Sequence, residues 1–189
     1  MIKDTLIKHQ NGFQKLAQIQ STTLIPVLLG SIFLAVLAQI AIPLPFNLVP
    51  ITLQTFGVSI LAITLGSKKA SLSVLTYLIQ ATCGLPVLAG GISNPFWIIG
   101  PKVGYLIGFV IAAYVVGKLI EKQKKSSFLK NFFILSLTEV IILTLGTLGL
   151  GFFIGWESAF LMGFLPFVPG AVLKICMTTT SFGVIRGFK

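Results

Sequence analysis

Leu24-Ile25-Pro26-Val27-Leu28-Leu29-Gly30-Ser31-Ile32-Phe33-Leu34-Ala35-Val36-Leu37-Ala38-Gln39-Ile40-Ala41-Ile42 is a run of 19 residues without a charged side chain. A helix rises about 1.5 Å per residue, so the roughly 30 Å hydrocarbon core of a bilayer needs about 20 such residues. A lysine-bearing segment precedes the run, as in a secretory signal. The run is nevertheless long for a signal's apolar region, no small-residue cleavage site follows, and further apolar runs come behind it. The stretch is therefore predicted to be the first transmembrane helix. The whole chain agrees with it: 189 residues, 55% hydrophobic, 10% charged, with a mean hydropathy of +1.00. Soluble domains carry about a quarter charged residues. That shortfall excludes a water-soluble enzyme or a separate soluble domain of useful size, and the length leaves room for about six spans.

Outward from this stretch, prolines, glycines and lysines punctuate the chain. Residues 1–20 are a polar, basic leader with weak amphipathicity, either a short surface helix or a disordered segment. After the first span, Pro43, Pro45 and Pro50 forbid a regular helix. A short second span is expected over residues 51–65, a tight basic turn over 66–69, and a third span over 70–83. Residues 84–102 carry Gly84, Pro86, Gly90, Gly91, Pro95, Gly100 and Pro101, yet also Val87, Leu88, Phe96, Trp97, Ile98 and Ile99. Lipid cannot satisfy irregular backbone, so a loop this apolar is expected to fold into the protein or lie at the interface. A fourth span follows over 103–120, a lysine-rich turn over 121–130 and a fifth span over 131–153. Residues 155–168 are mixed, and a sixth span covers 169–186, with Pro169 at its first helical position. The expected fold is all-α, an integral membrane domain of six transmembrane helices over residues 21–189.

The net charge of +10 is a matter of placement. With six spans, both termini and the 66–69 and 121–130 turns share one side. That side holds Lys3, Lys8, Lys15, Lys68, Lys69, Lys118, Lys122, Lys124, Lys125, Lys130, Arg186 and Lys189; the opposite side holds only Lys102. The positive-inside rule then predicts a multi-pass protein of the cytoplasmic (inner) membrane with both termini in the cytoplasm. A nucleic-acid surface would need polar groups to read phosphates or bases, which these short turns do not offer. Cys83 and Cys176 lack CxxC spacing and read as small buried hydrophobes, and His9 alone builds no metal centre. No metal and no cofactor is implied.

Two charges remain inside the spans, Glu139 and Lys174. Intramembrane charges usually face a cavity or a partner. Lys174 is either a lysine whose stem snorkels to an interface or a contact to a ligand in an outward-facing pocket. Glu139 is either a protonated carboxyl packed between helices or part of a site. No second carboxylate lies near it in sequence, so hydrolytic chemistry has no support. Thr52, Gln54 and Thr55 open the second span as helix-start capping groups or as ligand contacts. Trp97 and Tyr105 are interfacial anchors or pocket walls. Ser31, Ala35 and Ala38 are small enough to let a partner helix approach closely. No G-x-x-x-x-G-K-[ST] loop occurs, so any ATP-driven step needs a partner.

Three motifs in order carry a resemblance. Ile42-Pro43-Leu44-Pro45-Phe46 followed by Val49-Pro50-Ile51-Thr52-Leu53-Gln54-Thr55-Phe56 is similar to the first-loop signature of the biotin transporter BioY family. These are the substrate-binding S components of energy-coupling factor (ECF) transporters. Gly84-Leu85-Pro86-Val87, Ala89-Gly90-Gly91, Gly100-Pro101 and Gly104-Tyr105-Leu106 resemble its third-loop motif. Leu165-Pro166-Phe167-Val168-Pro169-Gly170, then Lys174, resembles its sixth-helix motif. The resemblance covers nearly the whole chain from the first span onward. It implies a six-helix S-component-like protein that binds biotin near its outer face. In many members it also implies coupling to a transmembrane T component and two ATP-binding cassette ATPases; other members work without them. The family pattern usually reads Pro-Gly-Asp-x-x-Lys, whereas the acidic position here is Ala171. Glu139 is expected to supply the missing carboxylate. The pattern Gly-Pro-Thr-Gly-Gly-Tyr is replaced here by Lys102 and Val103 ahead of Gly104.

The expected function is biotin binding and uptake, not enzyme catalysis, with Lys174, Gln54, Thr52, Tyr105, Asn94, Trp97 and Glu139 as the ligand contacts. Membrane lipid and biotin are the expected partners and nucleic acid is not; the chain is expected either to work with the ECF subunits or to act as a stand-alone carrier. One rival is an S component for another vitamin or a biotin precursor. A rival of a different class is a structural or assembly membrane protein with no ligand.

Overall fold

The computed structural model describes residues 22–45 and 48–186. The expected leader over 1–20, His9, and Phe46 and Asn47 of the first-loop motif lie outside the described residues. Helix α1 spans Thr22–Gln39 and is apolar along its length. The chain then extends into β1 (Ala41–Ile42), which pairs antiparallel with β2 (Ile51–Thr52), Ala41 opposite Thr52 and Ile42 opposite Ile51. This short ribbon brackets the proline-rich loop and delivers Thr52 to the start of α2 (Gln54–Thr82).

The expected second and third spans follow one another directly within this 29-residue element; counted as one, it leaves five helices among the described residues long and apolar enough to cross a membrane, the second of them folded back on itself. The predicted basic turn over 66–69 shrinks to Gly66, the one residue with non-helical backbone angles (φ 75°, ψ −179°). At that point the chain reverses. Gln54 Nε2 lies 2.8 Å from Tyr77 Oη, 23 residues on. A straight helix would hold those residues about 34 Å apart. The two halves of α2 therefore lie antiparallel, joined without a loop.

Glycine is required at this reversal, because a side chain at such angles is strained and a Cβ here would fall on the Glu121 carboxylate. That carboxylate caps the second half of α2: Ser67 N–H donates to Oε1 at 2.7 Å and Ser67 Oγ to Oε2 at 2.9 Å. An anion at a helix start also meets the positive end of the helix dipole. Gly117 of α3 (Val103–Glu121) makes the approach possible, since its missing Cβ would lie 2.6 Å from Ser67 Cα.

Helix α4 (Phe128–Ile154) follows a short lysine-rich turn and ends at Gly155 (φ 82°). The mixed segment over 155–168 is helical in short pieces: α5 (Trp156–Ala159), a π turn (Phe160–Phe164) and a 3-10 turn (Leu165–Phe167). Helix α6 (Val168–Arg186) completes the bundle. Its Phe182 packs with Ile63, Ile120 and Leu135, and Lys69 Nζ donates to Thr22 O at 3.0 Å. The start of α1, the Gly66 turn, the α3–α4 turn and the end of α6 thus share one lysine-rich end. The loops over 43–53, 83–102 and 155–167 gather at the other.

The small residues of α1 are used within the chain. Ser31 is fully buried and its Oγ accepts a hydrogen bond from Gln80 Nε2 at 3.1 Å, while fully buried Ala38 accepts the Gly90 N–H at 3.1 Å. Ala35 packs on the main core. At Ser31 the neighbour is the second half of α2, and at Ala38 it is the loop that follows it. Outward, α1 exposes Leu24, Ile25, Leu28, Leu29, Ile32 and Val36. Cys83 and Cys176, expected to be buried, are exposed on the bundle's outer surface. A lipid-facing surface tolerates small apolar side chains as well as a core does, so apolar sequence context does not distinguish the two.

Gly66→Ala is expected to destabilise the bundle by about 1–3 kcal/mol. Thermal unfolding of the detergent-solubilised protein checks this; an unchanged midpoint would show that the reversal does not depend on glycine.

Candidate ligand-binding cavity

At the end of the bundle away from the lysine-rich turns, the three loops and the ends of α2, α3, α4 and α6 enclose a cavity of about 160 Å³. Its wall is mostly apolar, with Val49, Leu88, Leu106, Phe109, Ile142 and Phe167 among the lining residues. All seven side chains expected as ligand contacts line this one cavity: Thr52, Gln54, Asn94, Trp97, Tyr105, Glu139 and Lys174.

An ion pair lies in its wall. Lys174 Nζ, from α6, sits 3.3 Å from Glu139 Oε1, from α4. Thr55, from α2, joins the two: its hydroxyl donates to Glu139 Oε1 at 2.6 Å and accepts from Lys174 Nζ. Lys174 is 7% exposed and Glu139 4% exposed, so the lysine does not snorkel outward. The carboxylate partner of Lys174 comes from α4, while Ala171 is a buried core residue. Ser59 and Thr138 add a second polar contact one turn along, at 2.9 Å. Burying two charges costs several kcal/mol per ion unless geometry and hydrogen bonds compensate, and here each ion has the other and the shared threonine.

The remaining groups are fixed by second partners. Gln54 Nε2 donates to Tyr77 Oη at 2.8 Å, and Thr52 Oγ1 accepts from the Gln54 N–H at 3.3 Å. Thr52 is thus a turn-forming group that also faces the cavity. Tyr105 donates its hydroxyl to Gly163 O at 2.7 Å, tying α3 to the π turn, and its ring lies 6.2 Å from that of Phe167. Trp97 Nε1 donates to Thr82 Oγ1 at 2.9 Å, which holds the indole against the end of α2. Asn94 Oδ1 accepts the Phe96 N–H at 3.0 Å and so shapes the loop.

Three polar lining residues, Thr55, Tyr77 and Lys102, are not among the expected contacts. Thr55, read from the sequence as a helix-start cap or a ligand contact, is the link between the two intramembrane charges. Tyr77 carried a signal of its own, a hydroxyl in the middle of an apolar run that needs a polar partner. Lys102, at the mouth, is the departure noted in the third-loop motif. It lies outside the spans, is partly buried, and burial lowers its pKa from the usual 10.5. Among the described residues no carboxylate pairs with it. No group of three or more metal-ligating side chains occurs among the described residues.

Comparison with known proteins gives this cavity its context. The family model described as "BioY family" matches residues 9–187. The chain belongs to the BioY family. "Biotin transporter BioY2" of Lactococcus lactis subsp. cremoris is 35% identical over 167 residues, covering 86% of this chain and 87% of that protein. "Biotin transporter BioY" of Thermotoga maritima is 36% identical over 135 residues, covering 71% and 79%. In structure, the chain is similar to the S-component for biotin from an ECF-type ABC transporter, with a TM-score of 0.81, 26% identity, and coverage of 91% of this chain and 94% of that one. As a BioY-family chain with five long apolar helices, it is a multi-pass membrane protein and not an enzyme.

Removing one member of the ion pair leaves the other charge buried and uncompensated. Lys174→Met and Glu139→Leu are each expected to destabilise by about 3–5 kcal/mol, and the double variant by less than either. Thermal unfolding in detergent checks this; losses that simply add would show that the two side chains are not coupled.

Proposed function

We propose that this chain binds biotin in the cavity at the loop-rich end of the bundle and mediates its uptake across the cytoplasmic membrane. The observation that carries the reading is the convergence of all seven expected contact residues on one largely apolar cavity, in a BioY-family chain. Biotin suits such a site. Its fused rings and valerate chain are apolar, while its ureido group and carboxylate each need a few directed partners. Lys102 and Lys174 with Glu139 give the lining a formal charge of +1, which complements a monoanionic ligand. Trp97 and Tyr105 offer ring surfaces to the bicycle.

The lysine-rich end is cytoplasmic by the positive-inside rule, which places both termini inside and the cavity at the outer face. The cavity is then an outward-facing capture site. The chain has no phosphate-binding loop of its own, so an ATP-driven step draws on partners, an ECF T component and two ATP-binding cassette ATPases.

Thermal unfolding of the purified chain tests ligand binding. Biotin at 100 times its Kd should stabilise the protein by about 2.7 kcal/mol, and other vitamins should neither stabilise it nor compete. No shift with biotin, or an equal shift with another vitamin, overturns the assignment. Uptake by cells expressing the chain with and without coupling subunits tests the energy source.

Lys102 sets the pH dependence. The ligand anion needs the ammonium form, so affinity is full below the lowered pKa and falls as pH rises through it, starting below the usual 10.5. Lys102→Met should weaken binding about tenfold and abolish that alkaline fall. A wild-type affinity that stays flat through this range would contradict the role.

A further inference from the structure

The last turns of α3 carry a lysine that leans into the bilayer. Lysines near span ends ordinarily extend their stems toward water. Side chains of a helix lean toward its N-terminus, and α3 runs from Val103 at the loop-rich end to Glu121 at the lysine-rich end. The Lys118 stem follows that lean: Nζ donates to Tyr114 Oη at 3.4 Å and lies 5.3 Å from the centre of the Tyr114 ring. Tyr114 stands about 10 Å inside the end of α3. The ammonium is therefore held back toward the hydrocarbon instead of reaching outward. A phenol hydroxyl and a ring face are modest partners for a full charge, and two of the three ammonium N–H groups are left for another acceptor.

The surroundings define that acceptor. Ile107, Ile111, Tyr114 and Lys118 fall at i, i+4, i+7 and i+11, on one face of α3, and all four are exposed. Lys122 at the C-cap continues the cationic end of this stripe, followed by exposed Lys124, Lys125 and Lys130. Phe128 and Leu129 are exposed directly after the turn, which keeps these lysines against the bilayer surface. Among the described residues no carboxylate pairs with Lys118; Glu121, the acid of this segment, caps Ser67 instead. A zwitterionic headgroup would bring its own cation among the lysines, where like charges repel. An acidic protein surface would have to lay its carboxylates beside two isoleucines in hydrocarbon. A phosphodiester with one net negative charge and acyl chains meets both halves of the stripe, its phosphate oxygens on the lysines and a chain along the isoleucines.

We infer that Tyr114, Lys118 and Lys122 form a binding site for one anionic phospholipid of the leaflet at the lysine-rich end. Lys118 contacts the headgroup, Tyr114 positions its ammonium, and Lys122 adds a second cation one turn on. Ile107 and Ile111 flank an acyl chain. The site lies on the outer surface of α3, at the end of the bundle opposite the cavity, and does not rest on what the cavity binds. Gly117, which packs on Ser67 beside the Gly66 reversal, is the neighbour of Lys118 in sequence, so a lipid held here also braces that reversal.

Native mass spectrometry of the purified full chain in neutral detergent, titrated with phosphatidylglycerol or with phosphatidylcholine of the same acyl chains, tests this. Wild type should bind a first phosphatidylglycerol about tenfold or more tightly than phosphatidylcholine. Lys118→Met should weaken that first site about tenfold, and Tyr114→Phe should weaken it less. The double variant Lys124→Met/Lys125→Met removes twice the charge of Lys118→Met, yet should change the site less than about twofold, because exposed charges away from the headgroup are screened. A loss in the double variant as large as in Lys118→Met means attraction by charge count alone and overturns the inference. Equal binding of the two lipids overturns it as well. Glycerol 3-phosphate, the phosphate without chains, should not displace the lipid; displacement at matching concentration means a site for a free anion and also overturns it. Should Lys118→Met fail to fold, Lys122→Met, expected to weaken the site about fivefold, takes its place against the same double variant.

Discussion

A buried ammonium and a buried carboxylate, 3.3 Å apart and bridged by one threonine hydroxyl, tie three helices of this bundle together. Neither charge is affordable alone in a membrane interior, so Lys174 of α6 and Glu139 of α4 must stay in register with Thr55 of α2. That requirement fixes the relative heights of the three helices. It also fixes where the polar part of the cavity lies, because the same groups form its wall. The apolar surface around them supplies no comparable specificity, since lipid and protein interior are nearly equivalent for a leucine.

The second constraint works at the opposite end. The Gly66 reversal folds α2 back on itself without a loop, and Glu121 caps the helix that emerges. As a result, the first residue of α2 meets a tyrosine near its end, and Gln54 and Tyr77 stand on one tier beside the ion pair. A backbone feature at the lysine-rich end thus sets the geometry of the cavity at the far end.

Much of this was legible in the sequence because the membrane restricts the choices. Apolar runs located α1, α3, α4 and α6 to within a few residues, and the prolines at 43, 45 and 50 marked the first loop. The direct junction of the two halves of α2 at Gly66 was not legible. A Gly-Ser-Lys-Lys tetrapeptide looks like a four-residue turn, and only the Glu121 cap, 54 residues away, lets the helix restart at Ser67. The cavity lining followed from polar and aromatic residues placed in apolar context and from the family motifs. Which of them face one another did not. Pairing of Glu139 with Lys174 was expected because the family's acidic position is Ala171 here and Glu139 lies well inside the adjacent span; Thr55 as the bridge and Tyr77 as the partner of Gln54 are long-range contacts that no local pattern encodes. The exposed cysteines failed for a related reason, because hydropathy does not separate a lipid-facing position from a core one.

The central claim is that the ion-paired wall between α2, α4 and α6 is the floor of a biotin site. A structure of the purified chain solved with biotin tests it most directly. The account predicts ligand density in this cavity, within hydrogen-bond distance of the Glu139–Lys174 pair and covered by Trp97 and Tyr105. Biotin bound elsewhere on the bundle, with the cavity left as it is here, would contradict it.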